Sequence, residues 1–272
     1  MMLEILNIIL KWKNQILIFT SVAMLASILI TMPIIMPPYY KSKEILYLSN
    51  PISTDRAALF NEKEVGGVSI FGGKEDVNRF LSILNSDKVS LATINKFHLV
   101  RHYKLEGKDN VLALYYTKKE FYSNFNAIRN DLGAIEVSML DTDAPMASDM
   151  VKYIIATSDS IYRSMLMENK AIVLKLIDQQ IAAKAHSLPQ NNDNADELLK
   201  LNTLRDQYAV SSSADFKTIY IVEDAAPAEK KTKPVRWLIV LSTAFVAVLF
   251  ASFVALLIEL YKNADKYGFK NS

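Results

Sequence analysis

Two stretches of this chain, Ile16–Met36 and Trp237–Ile258, carry no charged residue. Nothing else in the sequence limits its fold as strongly. As α-helices rising about 1.5 Å per residue they reach ~31–33 Å, enough to cross a hydrocarbon core of about 30 Å. A helix is one of the few forms that satisfies its own backbone in that solvent. Two crossings return the chain to the side it started from, so both termini are expected on one side and everything between the spans on the other. The first stretch follows Lys11 and Lys13, a basic flank that secretory leaders share. Its apolar run is longer than a leader's, and Pro37-Pro38-Tyr39 does not look like a small-residue cleavage site, so it is read as an uncleaved anchor.

Each span has small residues at every fourth position: Ala23, Ser27 and Thr31 in the first, Ala247, Ala251 and Ala255 in the second. Small side chains let helix backbones approach closely in lipid, so these six are the candidate span-packing residues. The competing explanation is that Ala and Ser are simply common in spans. Pro33 is expected to kink the end of the first span, because it lacks an N–H and clashes with the preceding turn.

Which side is which does not follow from charge. Lys11, Lys13, Lys262, Lys266 and Lys270 flank the spans on the outside of the sequence; Lys41, Lys43, Lys230, Lys231, Lys233 and Arg236 flank them on the inside. The positive-inside rule counts these residues and reaches no decision.

The chain is 51% hydrophobic and 22% charged, an average that hides an ordinary charged middle between the two apolar blocks. That middle, about 200 residues, is long enough for one or two compact domains. A net charge of +2 is too small to point to a nucleic-acid partner, and none is expected. The absence of cysteine excludes disulfides, thiol catalysis and thiolate metal sites.

Along the middle, residues 39–48 have strand character and stop at Asn50-Pro51. A polar loop with Gly66-Gly67 and Gly72-Gly73 follows. Residues 75–86 and 87–97 read as short helices, the second with Asp87 as N-cap. Val111–Tyr116 and Ile135–Asp141 read as strands, with a helix over 119–132 between them that ends at Gly133. The result is a small α/β unit whose helices cover one sheet.

The strongest periodicity comes next. Apolar residues from Met150 to Ile181 recur at helical spacing, and residues 145–187 contain no Gly and no internal Pro. The spacing predicts a single helix of ~64 Å. Such a helix outruns a compact domain, so it must project or pack against copies of itself. Ile154, Ile161, Met165, Ile172 and Leu176 are the candidate oligomer face. Pro189 and residues 191–194 break the helix, 195–208 return as a shorter one, 216–222 form a last strand, and 225–233 lead into the second span.

No catalytic constellation emerges, and neither a cofactor nor a metal site is expected. Residues 67–74 approach a phosphate-binding loop, but an extra Gly displaces Lys74 and Glu75 would repel phosphate. His98 and His102 have the i, i+4 spacing of paired ligands. Leu99 stands where a metallohydrolase helix needs Glu, and His186 is remote, so a surface or capping pair is the reading. Asp141 and Asp143 bracket Thr142; Asp143-Ala144-Pro145 is read as the cap of the long helix rather than an acid–base pair.

Three segments together resemble a known family. They are Pro37-Pro38-Tyr39-Tyr40-Lys41-Ser42 after the first span, residues 135–147 where a strand enters the long helix, and residues 225–236 before the second span. In order and spacing they are similar to the chain-length determinant family of polysaccharide co-polymerases, the Wzz-like proteins. The family-like membrane-proximal residues are Pro37, Tyr39, Lys233, Pro234 and Arg236. The resemblance implies an α/β membrane protein with two transmembrane helices flanking an extracytoplasmic α/β base and a long protruding helical arm. It places residues 1–15 and 259–272 in the cytoplasm, the spans at 16–36 and 237–258, and the first part of the base at 37–144. The arm takes 145–210, and the last strand and linker 211–236. It further implies a ring-like homo-oligomer in a bacterial inner membrane, in contact with membrane lipid, a polysaccharide polymerase and the growing glycan. Its role would be to set the chain length of O-antigen (the lipopolysaccharide polymer), capsule or a related glycan without catalysing bond formation. Two departures matter: the second span uses Ala and Ser where the family is glycine-rich, and the arm is shorter than in many members, so chamber dimensions do not carry over.

Two other readings stand beside this one. Some relatives are fused to a tyrosine kinase; residues 259–272 hold only Tyr261 and Tyr267, so a fused kinase is not expected, and the alternative is a membrane adaptor for a separate kinase. A two-span sensor with an extracytoplasmic ligand domain would need its output from a partner.

Overall fold

The computed structural model describes residues 2–50, 71–107, 109–186, 192–211 and 217–266. It divides into two compact units, Met1–Tyr39 with Lys230–Ser272, and Tyr40–Glu229. The architecture is mixed α/β with an apolar helix near each end and one long helix between.

The first unit opens with α1 (Met2–Lys11) and α2 (Lys13–Ile30). The expected span ran to Met36, but α2 stops at Ile30 and 31–36 form turns. Pro33 ends the helix instead of kinking it: it has no N–H for the ladder, and its ring conflicts with a carbonyl one turn back. Thr31 tidies the end, its hydroxyl donating to the Ser27 carbonyl at 2.9 Å. With 18 residues, α2 remains long enough to span.

The second unit is built on a four-stranded antiparallel sheet. Its strands are β1 (Tyr40–Leu48), β2 (Phe125–Arg129), β3 (Ile135–Asp141) and β4 (Ile219–Glu223), in the order β2-β3-β1-β4. Among the described residues four helices lie between β1 and β2: α3 (Lys74–Leu84), α4 (Asp87–Lys96), α5 (Leu99–His102) and α6 (Asn110–Asn124). The long helix α7 (Ala144–His186) has 43 residues, and α8 (Asn192–Ser211) returns beside it. In β1 burial alternates strictly, with Ser42, Glu44, Leu46 and Leu48 inward. That face and the inward residues of β3 lie under α7, which α3 and α4 also pack against. The core is Leu46, Phe80, Ile135, Met139, Met150 and Ile154, all fully buried.

Residues 110–132 depart from expectation. Val111–Tyr116 lie in the helix α6 rather than a strand, and the expected helix over 119–132 is the end of α6 followed by β2. Val and Tyr favour strands, but Leu112, Ala113 and Leu114 favour helix and tertiary packing sides with them. Ala113, Thr117 and Phe121 fall four apart, and α6 buries them on one face. Gly133, expected to end a helix, turns the β2–β3 hairpin at φ +84, where a side chain would be strained. Asn130 closes that hairpin by accepting the Ala134 N–H at 2.9 Å. The N-cap of α4 is Ser86, one residue ahead of the expected Asp87, and its hydroxyl accepts the Val89 N–H. Most of the glycine-containing loop, 51–70, and Phe216 lie outside the described residues.

The last helix, α9 (Arg236–Lys266), belongs to the first unit. Its apolar part, Arg236–Lys262, is the second candidate span.

Candidate functional site

In the first unit α2 and α9 lie against each other in opposite directions, so that Phe19 meets Phe250 with ring centroids 6.0 Å apart. Of the small-residue rows, Ser27, Thr31, Ala247 and Ala255 are buried and Ala23 and Ala251 half-buried. The large side chains turn the other way: Leu17, Leu25, Trp237 and Phe245 are more than three-fifths exposed. In water such a surface would be a liability; in lipid it is the expected one, with the small residues at the seam. At one end of the pair Glu259 accepts Lys11 at 2.7 Å and the Trp12 indole N–H at 3.3 Å, while the Lys262 ammonium sits 5.2 Å from the Trp12 ring centroid.

The membrane-proximal motif lies toward the other end. The Tyr39 N–H donates to the Lys233 carbonyl at 2.9 Å, and the Tyr39 carbonyl accepts the Thr232 N–H at 2.8 Å. Pro37 is exposed, while Pro234 and Arg236 are half-buried. This short bridge joins the segment that leaves α2 to the one that enters α9.

Within the second unit a polar clasp holds the segment after β4. Glu44, 2% exposed, accepts the Ala225 N–H at 3.3 Å. Ser42 donates to the Ala226 carbonyl at 2.9 Å, and Ser148 on α7 donates to the Ala225 carbonyl at 3.0 Å. Burial raises the Glu44 carboxyl above its usual range; the Ala225 N–H pulls the other way, Asp224 raises it and Lys152 lowers it. The sequence does carry a signal for this clasp: Ser42 and Glu44 share the strand face of Leu46 and Leu48.

The start of α7 is fixed by the aspartates. Asp143 caps it, accepting the Met146 N–H at 3.3 Å. Asp141, 1% exposed, accepts the Asp143 N–H at 2.8 Å and meets His102 Nε2 at 2.9 Å. His102 and His98 are not on one helix face, because His98 takes a left-handed φ of 49 between α4 and α5. His98 is exposed. Among the described residues no three His, Asp or Glu side chains cluster as metal ligands.

The candidate oligomer face divides. Ile154 is fully buried in the core and Ile161 is half-buried against it, so Ile154 is not available to another protomer. The basal part of α7 covers the sheet, which the helical period alone could not reveal. Met165, Ile172 and Leu176 are 53%, 52% and 55% exposed. Beyond them α7 is held to α8 by Arg205 and Asp178 at 2.7 Å and by the Lys184–Glu197 pair.

Residues 2–97 match the family model described as "Wzz: Chain length determinant protein". The match contains residues 37–42, the first of the three segments that carry the Wzz-like resemblance, and it covers α2, β1, α3 and α4. No match is found among curated proteins. Similar solved structures include a full-length bacterial polysaccharide co-polymerase, 12% identical, covering 98% of each chain with a TM-score of 0.47. A fragment of WzzB, a polysaccharide co-polymerase from Salmonella Typhimurium, is 13% identical over 72% of this chain and 99% of its own, with a TM-score of 0.45. The Shigella flexneri lipopolysaccharide O-antigen chain-length regulator WzzB, as a point mutant, is 8% identical over 71% and 99%, with a TM-score of 0.37.

Proposed function

We propose that this chain, Wzz-like over residues 2–97, is a non-catalytic, oligomeric regulator of surface-polysaccharide chain length in a bacterial inner membrane. The observation that carries the reading is the family match, which falls on a chain with two apolar helices either side of a single α/β unit. In this reading both termini are cytoplasmic, residues 16–36 and 237–258 belong to the membrane segments, and 37–236 lie outside the cytoplasm, with 145–210 as the arm.

The chemistry this assigns to the protein is positional. Asp141 and Asp143, the acidic pair nearest a catalytic appearance, are committed to capping and to His102. Met165, Ile172 and Leu176 present apolar surface on a helix, which copies of the chain would bury against one another. The spans would bring a separate polymerase to the oligomer, and the growing glycan would meet the oligomer's surface through many weak contacts, a multivalent arrangement.

Deleting the gene tests this directly. The length distribution of a surface polysaccharide should shift on a gel ladder while polymer continues to be made. An unchanged ladder contradicts the proposal, and loss of all polymer would make the chain part of the synthetic machinery instead.

A further inference from the structure

Where α2 stops and α9 begins, the first unit has an open groove of about 770 Å³. Met24, Ile28, Val240 and Leu241 form its apolar wall, and Trp237 and Arg236 stand at the start of α9. Pockets of about 300–1,000 Å³ are the size that holds ligand-scale molecules. The Arg236 Nε is buried and has no hydrogen-bond partner among the described residues. Guanidinium donors left unpaired in an apolar setting are costly. The surrounding sequence has one sign of charge: residues 24–39 have no charged side chain, and residues 230–241 contain Lys230, Lys231, Lys233 and Arg236 with no carboxylate.

We propose that this groove is a binding site for an anionic phospholipid of the surrounding bilayer. Its phosphodiester would be received by Arg236, and one acyl chain would lie along Met24, Ile28 and Leu241. The occupant follows from the two chemistries present together. A planar guanidinium suits phosphate oxygens, and a soluble anion would leave the apolar wall uncovered. Trp237 is the residue type found at the interface depth.

Native mass spectrometry of the purified full chain in detergent tests the site, using phosphatidylglycerol and phosphatidylethanolamine of matched acyl length. The expected result is a phosphatidylglycerol adduct favoured at least about five-fold. It should fall about ten-fold in Arg236→Gln, as loss of a charge-assisted contact implies, and be unchanged in Lys13→Gln at the far end of α2. Ile28→Trp, which fills the groove and keeps Arg236, should lose the adduct as well, so a folding defect in one variant does not decide the matter. Equal uptake of the two lipids, or undiminished uptake by Arg236→Gln and Ile28→Trp, overturns the site. So does displacement of the lipid by a ten-fold excess of inorganic phosphate, which would make it a phosphate site. A photo-crosslinker at position 28 should label lipid in membranes; labelling of a second copy or of another protein instead also overturns it.

Discussion

The two halves of α7 share one backbone and differ in what covers them. From Ala147 to Tyr162 the helix is roofed onto the sheet, with Met150, Val151 and Ile154 out of solvent altogether. Past Leu166, which still packs against the core, it runs beside α8, and Met165, Ile172 and Leu176 are more than half exposed. The apolar spacing is the same in both halves, so periodicity reports that a face is apolar without reporting what that face meets. Burial decides: the basal half belongs to the closed core, and the distal half keeps three large apolar side chains more than half exposed.

The sharpest test of that division is a pair of truncations compared by denaturant unfolding of the full chain in detergent, followed by far-UV circular dichroism. Ile154→Ala should cost about 2–5 kcal/mol, because it opens a cavity in a closed core. Leu176→Ala should cost no more than about 0.5 kcal/mol, as exposed substitutions do. Similar costs would erase the distinction between the halves.

Next in size is Glu44→Ala, which leaves the Ala225 N–H buried without an acceptor and should cost about 1–3 kcal/mol in the same measurement. The carboxyl also gives the base a pH dependence of defined sign. Its pKa is raised above the usual 4.5, chiefly by burial, so the folded base holds this proton more tightly than the unfolded chain. The contribution is fully present below the usual value and is lost as pH rises through the raised one. Glu44→Gln should flatten that decline; an unchanged pH profile would show that the side chain is not buried as described. Asp143→Ala, removing the cap of α7, should cost about 1 kcal/mol, with Asp143→Asn costing less. The smallest stability effect belongs to joint replacement of Met165, Ile172 and Leu176 by Ser. Unfolding should move little, while size-exclusion light scattering should show the oligomer falling to smaller species.

The elements that were legible in the sequence are those whose local pattern and tertiary role agree. The strand Ile135–Asp141 appears at its expected bounds, and the long helix within one residue at each end, because no Gly or Pro interrupts it and Asp143 starts it. In α6 Val111, Tyr115 and Tyr116 are strand formers, whereas Leu112, Ala113 and Leu114 favour helix, and the packing of Ala113, Thr117 and Phe121 on one face agrees with the helix. The pairing of His102 with Asp141 joins residues far apart in sequence on separate elements, and no spacing rule reaches it. The groove near Arg236 lies where α2 ends ahead of Pro33, a local effect whose consequence appears only with α9 in place.

The central proposal, that chain length is set by an assembly formed through the distal half of α7, has a direct measurement. A strain lacking the gene is complemented with the wild-type chain or with the variant carrying Ser at 165, 172 and 176, at matched membrane levels, and its surface polysaccharide is resolved on a gel. Wild type should restore a modal length and the variant should not, although polymer is made in both. A variant that restores the wild-type ladder would contradict it.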